Sequence, residues 1–348
     1  MERPTARMKD EAGGALRNES QTAGVRARAV EVRVPASTSN LGAGFDCFGL
    51  ALQLYLTIRA TVSARSSEAC RVRTRGEIQG TTLPRTAENL IFRAMSLAAE
   101  REGLTLPPVR LAVYNEIPLG RGLGSSAAAI VGGIKLCAAL CGREISTAAV
   151  LRYATELEGH ADNVAACLLG GWVNTCTGQD SSIIAVKRRW PAEIKIIIVS
   201  PHIHLATKQA RAALPSLVSH ADAVHNLQRT ALFGAALEER RYDLLWEAMQ
   251  DRLHQARRQS LVPGLTEALA TPRLRGLLGL ALSGAGPSVV ALAEDHFDEI
   301  GEALALCFRR HGIETTVRLL AFDEAGLQIC EHVRRRKTEE QRLLDCQT

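Results

Sequence analysis

The stretch Pro118–Ala127 reads PLGRGLGSSA and places three glycines and two serines directly before an apolar run. Glycine costs conformational entropy on folding, so such a cluster indicates that another group must approach the backbone closely. Upstream, Leu111–Asn115 reads as a short strand. Downstream, residues 125–141 carry apolar side chains at helical spacing, and Gly142 provides a stop. Because the first turn of a helix has free N–H groups and a partial positive charge, the pattern predicts a phosphate-binding loop.

This loop does not fit the two commonest phosphate motifs. No lysine follows Gly124, as a Walker loop requires, and Ser125 stands where a dinucleotide-binding fingerprint has its third glycine. A glycine-rich turn with a serine cap is the purely structural alternative. The other motifs of the chain decide between the two interpretations.

The composition is that of a globular protein with room for two cores, since the chain has 348 residues of which 46% are hydrophobic. Its formal net charge is +5, and basic runs such as Arg334–Lys337 are short, so we expect no nucleic-acid partner. Nine cysteines are spread without Cys-x-x-Cys pairs, which indicates reduced thiols rather than disulfides or zinc. Neither a membrane span nor a signal peptide is indicated, so we expect a cytoplasmic protein without a membrane partner.

The chain divides into four segments by composition. Residues 1–28 contain almost no large aliphatic side chains and are predicted to form a disordered extension. A first domain is predicted over 29–186, and a second domain over 187–332 begins at the charged link Lys187–Pro191. Residues 333–348 are a charged tail.

Periodicity predicts helices and strands in both domains, mixed without strict alternation, and so an α+β fold. The predicted helices are Thr86–Gly103, Ser146–Glu158, Ala206–Leu214, Ala221–Glu239, Tyr242–Gln259 and Phe297–His311. Besides Leu111–Asn115, the predicted strands are Ala29–Ala36, Leu50–Val62, Ile194–Pro201 and Glu314–Leu320, with a hairpin at Ala281–Leu292.

Three further segments carry polar groups or glycines suited to a site. In Val34–Leu52, Asn40 and Asp46 flank a glycine turn after a strand; they could bind a polar substrate, although both residue types also favour turns for local hydrogen bonds. The segment Glu156–Ala165, ELEGHADNVA, concentrates carboxylate, imidazole and amide groups close after a helix. The segment Leu282–Val290, LSGAGPSVV, reads by itself as a hairpin turn that allows a ligand near the backbone.

Taken together and in this order, the motifs resemble the GHMP kinase superfamily, named for galactokinase, homoserine kinase, mevalonate kinase and phosphomevalonate kinase. The resemblance covers about Val32 to Leu320 and is strongest for the homoserine branch, through GHADNVA, ATKQARAALP and DRLHQARRQSLVPG. It implies a two-domain fold, with an N-terminal domain like domain 2 of ribosomal protein S5 and a ferredoxin-like C-terminal domain. It also implies an active site between the domains, which uses ATP and magnesium to phosphorylate the side-chain hydroxyl of L-homoserine.

The resemblance assigns the glycine loop to the nucleotide and a nearby oxygen pair to the metal. The nucleotide-binding residues are expected to be Pro118, Leu119, Gly120, Arg121, Gly122, Leu123, Gly124, Ser125, Ser126, Ala127 and Ala128. Magnesium prefers hard oxygen ligands, so we expect Glu158 to bind it together with Ser125 or Ser126. Glu156 is the rival carboxylate, but two residues earlier on a helix it should point away.

An amino-acid acceptor presents an ammonium and a carboxylate. Asp46 fits the ammonium, and Arg211 and Arg258 fit the carboxylate, because a guanidinium binds it bidentately. Just before Arg258 the sequence departs from the homoserine branch, which usually has Pro and Tyr where Ala256 and Arg257 stand. The remaining residues that we expect in the acceptor pocket are Asn40, His160, Asn163, Thr207 and Gly284.

Two routes for the acceptor proton stay open in the sequence. Asp162 is the candidate general base. Alternatively, Asn163 and Arg211 orient the hydroxyl for direct attack, which a loose phosphoryl-transfer transition state permits.

The sequence also leaves two rival functions open. One is a kinase of the same superfamily for another small alcohol, such as mevalonate or shikimate, which lacks the ammonium. The other is a non-catalytic sensor that binds nucleotide, against which the retained Glu158, Ser125 and Ser126 argue. The sequence does not decide the oligomeric state, for which a homodimer is one possibility.

Overall fold

A computed structural model describes residues 28–63, 68–78 and 82–333. The predicted N-terminal extension and C-terminal tail lie outside these residues, apart from Arg28 and Val333 at their inner ends. Within the described part, two sheets carry the architecture: one has seven strands and the other four.

The seven-stranded sheet contains the first and the last strand of the described chain. Its strands are β1 (Arg28–Ser39), β2 (Phe48–Val62), β3 (Cys70–Gly76), β4 (Val109–Asn115), β5 (Trp172–Thr177), β6 (Ile183–Arg188) and β11 (Gln328–Val333). The order is β11-β1-β2-β4-β3, with β5 paired to β2 and β6 paired to β5. Only the β3–β4 pair among these is parallel. The register joins Arg28 to Val333, so the two ends of the described chain lie side by side.

Helices cover this sheet because their apolar residues need a partner surface. They are α1 (Leu90–Arg101), α2 (Ser125–Leu140), α3 (Thr147–Glu158) and α4 (Asp162–Leu169). The helix α2 is buried along most of its length, and its small residues let neighbours approach: a Cβ on Gly133 would lie 2.4 Å from the carbonyl oxygen of Ile91 in α1. The glycine loop and this buried helix are therefore held on a rigid base.

The four-stranded antiparallel sheet has the order β10-β7-β9-β8. Its strands are β7 (Lys195–Pro201), β8 (Leu277–Leu282), β9 (Val289–Ala293) and β10 (Thr315–Leu320). The helices of this half are α5 (Thr207–Ala212), α6 (His220–Glu238), α7 (Leu245–Ala248), α8 (Gln255–Arg258), α9 (Leu265–Leu269) and α10 (Phe297–Arg309). The chain turns between β8 and β9 at Gly284 and Gly286. This arrangement and the first sheet give the expected α+β fold of two units.

One predicted helix is wrong. Instead of a continuous helix over Tyr242–Gln259, the chain forms two short α-helices and two 3-10 turns, with a break at 249–254. The cause is Asp251, whose carboxylate accepts hydrogen bonds from the backbone N–H groups of Leu253, His254 and Gln255 and so starts a new turn. The break turns the side chains of 254 and 258 inward.

Four strands were not predicted from the sequence. These are β3, β5, β6 and β11. The last lies in the first sheet, although the sequence analysis assigns residues up to 332 to the second domain. The other predicted helices, the five predicted strands and the hairpin are all present, with bounds shifted by a few residues.

Candidate active site

A cavity of about 450 Å³ lies between the glycine loop, the loop 40–47 that joins β1 to β2, and the β8–β9 turn. The predicted site residues that it brings together come from six separate parts of the chain. The predicted site residues that line it are Asn40, Asp46, Pro118, Leu119, Gly120, Arg121, Gly122, Leu123, Gly124, Ser125, Ser126, Glu158, His160, Asp162, Asn163, Thr207, Arg211, Arg258 and Gly284. Ala127 and Ala128 do not line it: their side chains are fully buried in the core.

The three glycines of the loop have φ values of +63°, +72° and +69°, which L side chains adopt only with strain. Their close neighbours are protein groups. A Cβ on Gly122 would lie 2.1 Å from the carbonyl oxygen of Ser283, and one on Gly124 would lie 2.1 Å from Ser37 Oγ. The loop is also tied by Ser283 Oγ, which donates to the carbonyl of Gly122 at 2.7 Å. The glycines therefore let the loop pack between β1 and the β8–β9 turn.

The first turn of α2 opens onto the cavity beside this loop. Gly124 is its cap and makes no side-chain hydrogen bond to the helix, so the N-terminal donors are not taken by a capping side chain. Ser125 and Ser126 line the cavity here. A helix N-terminus with free donors and its positive dipole end fits a polyphosphate.

Glu158 lines the cavity beside the first turn of α2. Ser126 Oγ donates to Glu158 Oε1 at 2.5 Å, and the side chain of Glu158 is only 9% exposed. Glu156 points away, as expected, and forms an exposed ion pair with Arg101 at 2.7 Å. A hydroxyl and a carboxylate in contact are the hard oxygen donors that fit magnesium.

His160 and Asp162 form a buried pair at the start of α4. His160 Nδ1 lies 2.6 Å from Asp162 Oδ1, which also accepts the backbone N–H of Asn163 at 2.7 Å. Burial by itself would raise the pKa of Asp162, but the hydrogen bond and charge of His160 outweigh it and the pKa is lowered. Burial likewise opposes the charged form of His160, yet Asp162 and Glu158 raise its pKa. Asp162 thus holds the imidazole as an ionised partner.

The amide of Asn163 is held by two buried serines of β1. Ser37 Oγ donates to Asn163 Oδ1 at 2.8 Å, and Asn163 Nδ2 donates to Ser39 Oγ at 2.8 Å. The sequence analysis did not single out these serines. Their spacing of two residues on a strand is a usable signal, because it puts both on one face just before Asn40.

Asp46 and Arg211, which both line the cavity, form an ion pair with each other. Arg211 Nη1 and Nη2 donate to the two carboxylate oxygens of Asp46 at 3.1 and 2.6 Å. Both side chains are about one third exposed, at 34% for Arg211 and 37% for Asp46. Burial would lower the pKa of Arg211, but Asp46 raises it.

Arg258 lies deeper in the same region and is buried. Its Nε donates to the carbonyl of Ala210 at 3.2 Å, and its Nη1 donates to the carbonyl of Gly284 at 3.2 Å. Burial, together with the positive charge of Arg211, lowers its pKa to about 10. Three charged side chains, one negative and two positive, therefore converge on one end of the cavity.

Asn40 fixes the loop that carries Asp46. Its Nδ2 donates to the carbonyl of Gly284 at 3.0 Å, and its Oδ1 accepts the backbone N–H of Asp46 at 3.0 Å. The amide is thus engaged on both sides, with the left-handed φ of +70° that its residue type tolerates. Thr207 begins α5 and lines the cavity from the opposite side.

Some lining residues were not predicted from the sequence. Phe45 lies under both guanidinium groups, with its ring centroid 5.8 Å from Arg211 Cζ and 5.4 Å from Arg258 Cζ. His204 packs against Gly120. Phe45 lies between Asn40 and Asp46 in the first motif but was not singled out, and His204 belongs to none of the motifs.

Comparison with known proteins matches the chain to one family. Residues 89–171 match the family described as GHMP kinases N terminal domain, and 233–310 match GHMP kinases C terminal. The chain is 40% identical over 301 residues to the homoserine kinase of Desulfitobacterium hafniense, covering 86% of this chain and 99% of that protein. It is a homoserine kinase family member. The family's homoserine kinase from Deinococcus radiodurans is 42% identical over 314 residues, covering 88% of this chain and 99% of the relative.

Solved structures agree with the family. The structure of a homoserine kinase from Cytophaga hutchinsonii is similar to this one with a TM-score of 0.76 and 29% sequence identity. The match covers 87% of this chain and 97% of the Cytophaga chain. Mevalonate kinase of L. major shares the fold, with a TM-score of 0.62 at 14% sequence identity. The match covers 86% of this chain and 95% of the mevalonate kinase chain. Among the residues that the structure describes, no helix is both long and apolar enough to cross a membrane.

Proposed function

We propose that this chain transfers the γ-phosphoryl group of ATP to the side-chain hydroxyl of L-homoserine, giving O-phospho-L-homoserine. The observation that carries the proposal is the placing of Asp46, Arg211 and Arg258 at one end of a cavity whose other wall is the glycine loop. A carboxylate suits the ammonium of a free amino acid, and the guanidinium groups suit its carboxylate. The superfamily membership and about 40% identity to homoserine kinases support the same reading.

The nucleotide site follows from the loop and the helix beside it. We propose that the backbone N–H groups of Gly120–Ser126 and of the first turn of α2, which border the cavity, bind the phosphates. We propose that Glu158 and Ser126 hold magnesium, with Ser125 as the alternative hydroxyl. When bound, the metal supplies charge neutralisation for the transferred group.

The acceptor side relies on positioning. Asn163, fixed by Ser37 and Ser39, is suited to orient the hydroxyl together with Arg211. The Oδ1 atom of Asp162 is engaged by His160 and by a backbone N–H, which favours a role in holding His160 over a role as the base. A loose transition state asks little nucleophilicity of the hydroxyl, so direct attack is physically reasonable.

Three wider proposals follow. The boundary between the two domains lies near residue 187, with β11 returning to the first sheet. Residence in the cytoplasm is supported by eight free cysteines within the described ranges. A homodimer is the assembly that we propose to test by light scattering.

The decisive experiment incubates purified protein with ATP, magnesium and separate small alcohols, and detects ADP and the phosphorylated product. We expect product from L-homoserine and little from mevalonate or shikimate, which lack the ammonium that Asp46 would bind. Efficient phosphorylation of another alcohol instead would assign a different acceptor. Nucleotide binding without any product would indicate a sensor.

A further inference from the structure

One buried histidine beside the acceptor end has no part in the function proposed so far. His254 is fully buried, at 0% exposure, in the segment between α7 and α8. Its ring stacks on Phe45, with centroids 5.1 Å apart and planes inclined by 27°. It therefore contacts the aromatic ring that also lies close to both guanidinium groups.

The two nitrogens of His254 have different partners, and these fix its tautomer. Nε2 lies 2.9 Å from the carbonyl oxygen of Gly42, which can only accept, so Nε2 must carry the proton. Nδ1 lies 3.2 Å from Arg258 Nη1, which can only donate, so Nδ1 must be the acceptor. Both bonds are satisfied together only by the neutral ring with hydrogen on Nε2. Burial lowers the pKa of His254, which favours this neutral form.

These contacts connect the loop of Asp46 to the guanidinium of Arg258. Gly42 belongs to that loop, and a Cβ there would lie 1.9 Å from the carbonyl oxygen of Met249, so the loop packs tightly on the segment that precedes His254. Asp251 holds the backbone of this segment by accepting the N–H of His254 at 2.9 Å. The position of His254 is thus set from both sides.

We infer that His254 is a positioning residue for the acceptor carboxylate: it aims the guanidinium of Arg258 through Nδ1 and joins it to the loop of Asp46 through Nε2. The inference rests on the proposed function, because it takes Arg258 as a carboxylate ligand. It predicts that His254 sets the preference for acceptors with a free carboxylate. Without the Nδ1 acceptor, Arg258 would keep its charge but lose one of the contacts that fix its direction.

Two amide substitutions separate the two nitrogens. In His254→Asn the amide lies near the position of Nδ1, so an acceptor for Arg258 remains and the donor to Gly42 is lost. In His254→Gln the amide reaches the position of Nε2, so the donor remains and the acceptor is lost. His311→Gln, at a surface histidine paired with Glu267, is the matched control.

The measurement is KM for L-homoserine and for L-homoserine amide at saturating ATP, with KM for ATP and the melting temperature alongside. We expect His254→Gln to raise KM for homoserine on the order of tenfold, the effect of one charge-assisted hydrogen bond, and to leave KM for the amide and for ATP nearly unaltered. His254→Asn should keep the preference for homoserine over the amide while its melting temperature falls. Equal changes of that preference in both variants, or none in either, would overturn the inference.

Two further measurements test the inference independently of the His254 variants. Arg258→Lys tests the underlying role: if it leaves KM for homoserine unaltered, the carboxylate role of Arg258 fails, independently of the contact with His254. In the parent protein, ¹⁵N NMR of labelled histidine reads the tautomer even if the variants do not fold. A proton on Nδ1 of His254 would contradict the proposed contact.

Discussion

At the scale of single residues, the site depends on a contrast between two neighbouring carboxylates. Glu158 and Glu156 lie two positions apart on α3, but the first contacts Ser126 in the cavity and the second contacts Arg101 at the surface. Helical geometry produces this separation, since a shift of two residues turns a side chain to another face. The sequence analysis could choose between them for that reason.

Replacing Glu158 by Gln tests the metal site. The amide keeps the shape but removes the negative charge, so we expect kcat to fall by about a hundredfold or more, as for comparable electrostatic deletions, at an unaltered melting temperature. Glu156→Gln is the matched control and should retain parent activity. Near-normal turnover of Glu158→Gln at limiting magnesium would exclude Glu158 as the ligand.

Replacing Arg211 by Lys tests the acceptor site, because lysine keeps the charge but cannot bind bidentately. We expect KM for homoserine to rise strongly with KM for ATP nearly unaltered. The loss of one charge-assisted hydrogen bond corresponds to a fall in kcat/KM on the order of tenfold to a hundredfold.

L-homoserine amide is the control acceptor for this variant. It should be a poor substrate for the parent and should discriminate little between parent and Arg211→Lys. Homoserine kinetics that stay the same in the variant would remove Arg211 from the site and leave the kinase assignment standing.

At the scale of elements, the glycine loop shows what sequence reasoning could and could not supply. Its position between a strand and a helix was readable, because periodicity and glycine stops are local signals. The groups that approach the loop were not readable. They are Ser37 and Ser283, far away in sequence, which no local pattern connects to Gly122 or Gly124.

The same distinction explains the remaining differences. The helix predicted over Tyr242–Gln259 is broken because the carboxylate of Asp251 competes for backbone donors, which apolar periodicity does not register. Asn40, Asp46 and Arg211 could be proposed from motifs. Phe45 and His254 also lie in quoted motifs, but their contact with each other joins distant parts of the chain and becomes visible only in the fold.

Gly122→Ala tests the packing of the loop, and Gly103→Ala supplies its control. Both positions have positive φ, at +72° and +62°, so both substitutions carry a similar backbone strain of about 1–2 kcal/mol. Only Gly122 would bring its Cβ into Ser283; no atom lies within 4 Å of a Cβ on Gly103. We therefore expect a clearly larger fall in melting temperature, and a loss of kcat/KM, for Gly122→Ala. Equal losses in thermal denaturation would show that strain alone matters there.

At the scale of the whole molecule, the strand β11 connects the end of the described chain to its beginning. It pairs with β1 over six residues, from Arg28↔Val333 to Arg33↔Gln328. The strand β1 leads directly into Ser37, Ser39 and Asn40, so a pairing remote from the cavity supports the strand that fixes Asn163.

Two truncations test this support. A chain ending at Leu327 lacks β11 and exposes the edge of β1, so we expect a lower melting temperature and aggregation. A chain ending at Val333 keeps the strand and serves as the control, with expected stability near that of the full chain. Thermal denaturation and light scattering distinguish the two, and an equally stable chain ending at Leu327 would show that the pairing contributes little.

Biosynthesis gives the β1–β11 pairing another consequence. Among the described strands, β1 emerges from the ribosome first and its partner β11 last, so the edge of β1 that pairs with β11 stays open until β11 has been made. We expect the first sheet to close only after β11 leaves the exit tunnel. Nascent chains stalled at Val333 should then be protease-sensitive, and the same chains extended by a tunnel-length linker should be resistant. Resistance in both would mean that the sheet closes without its final strand.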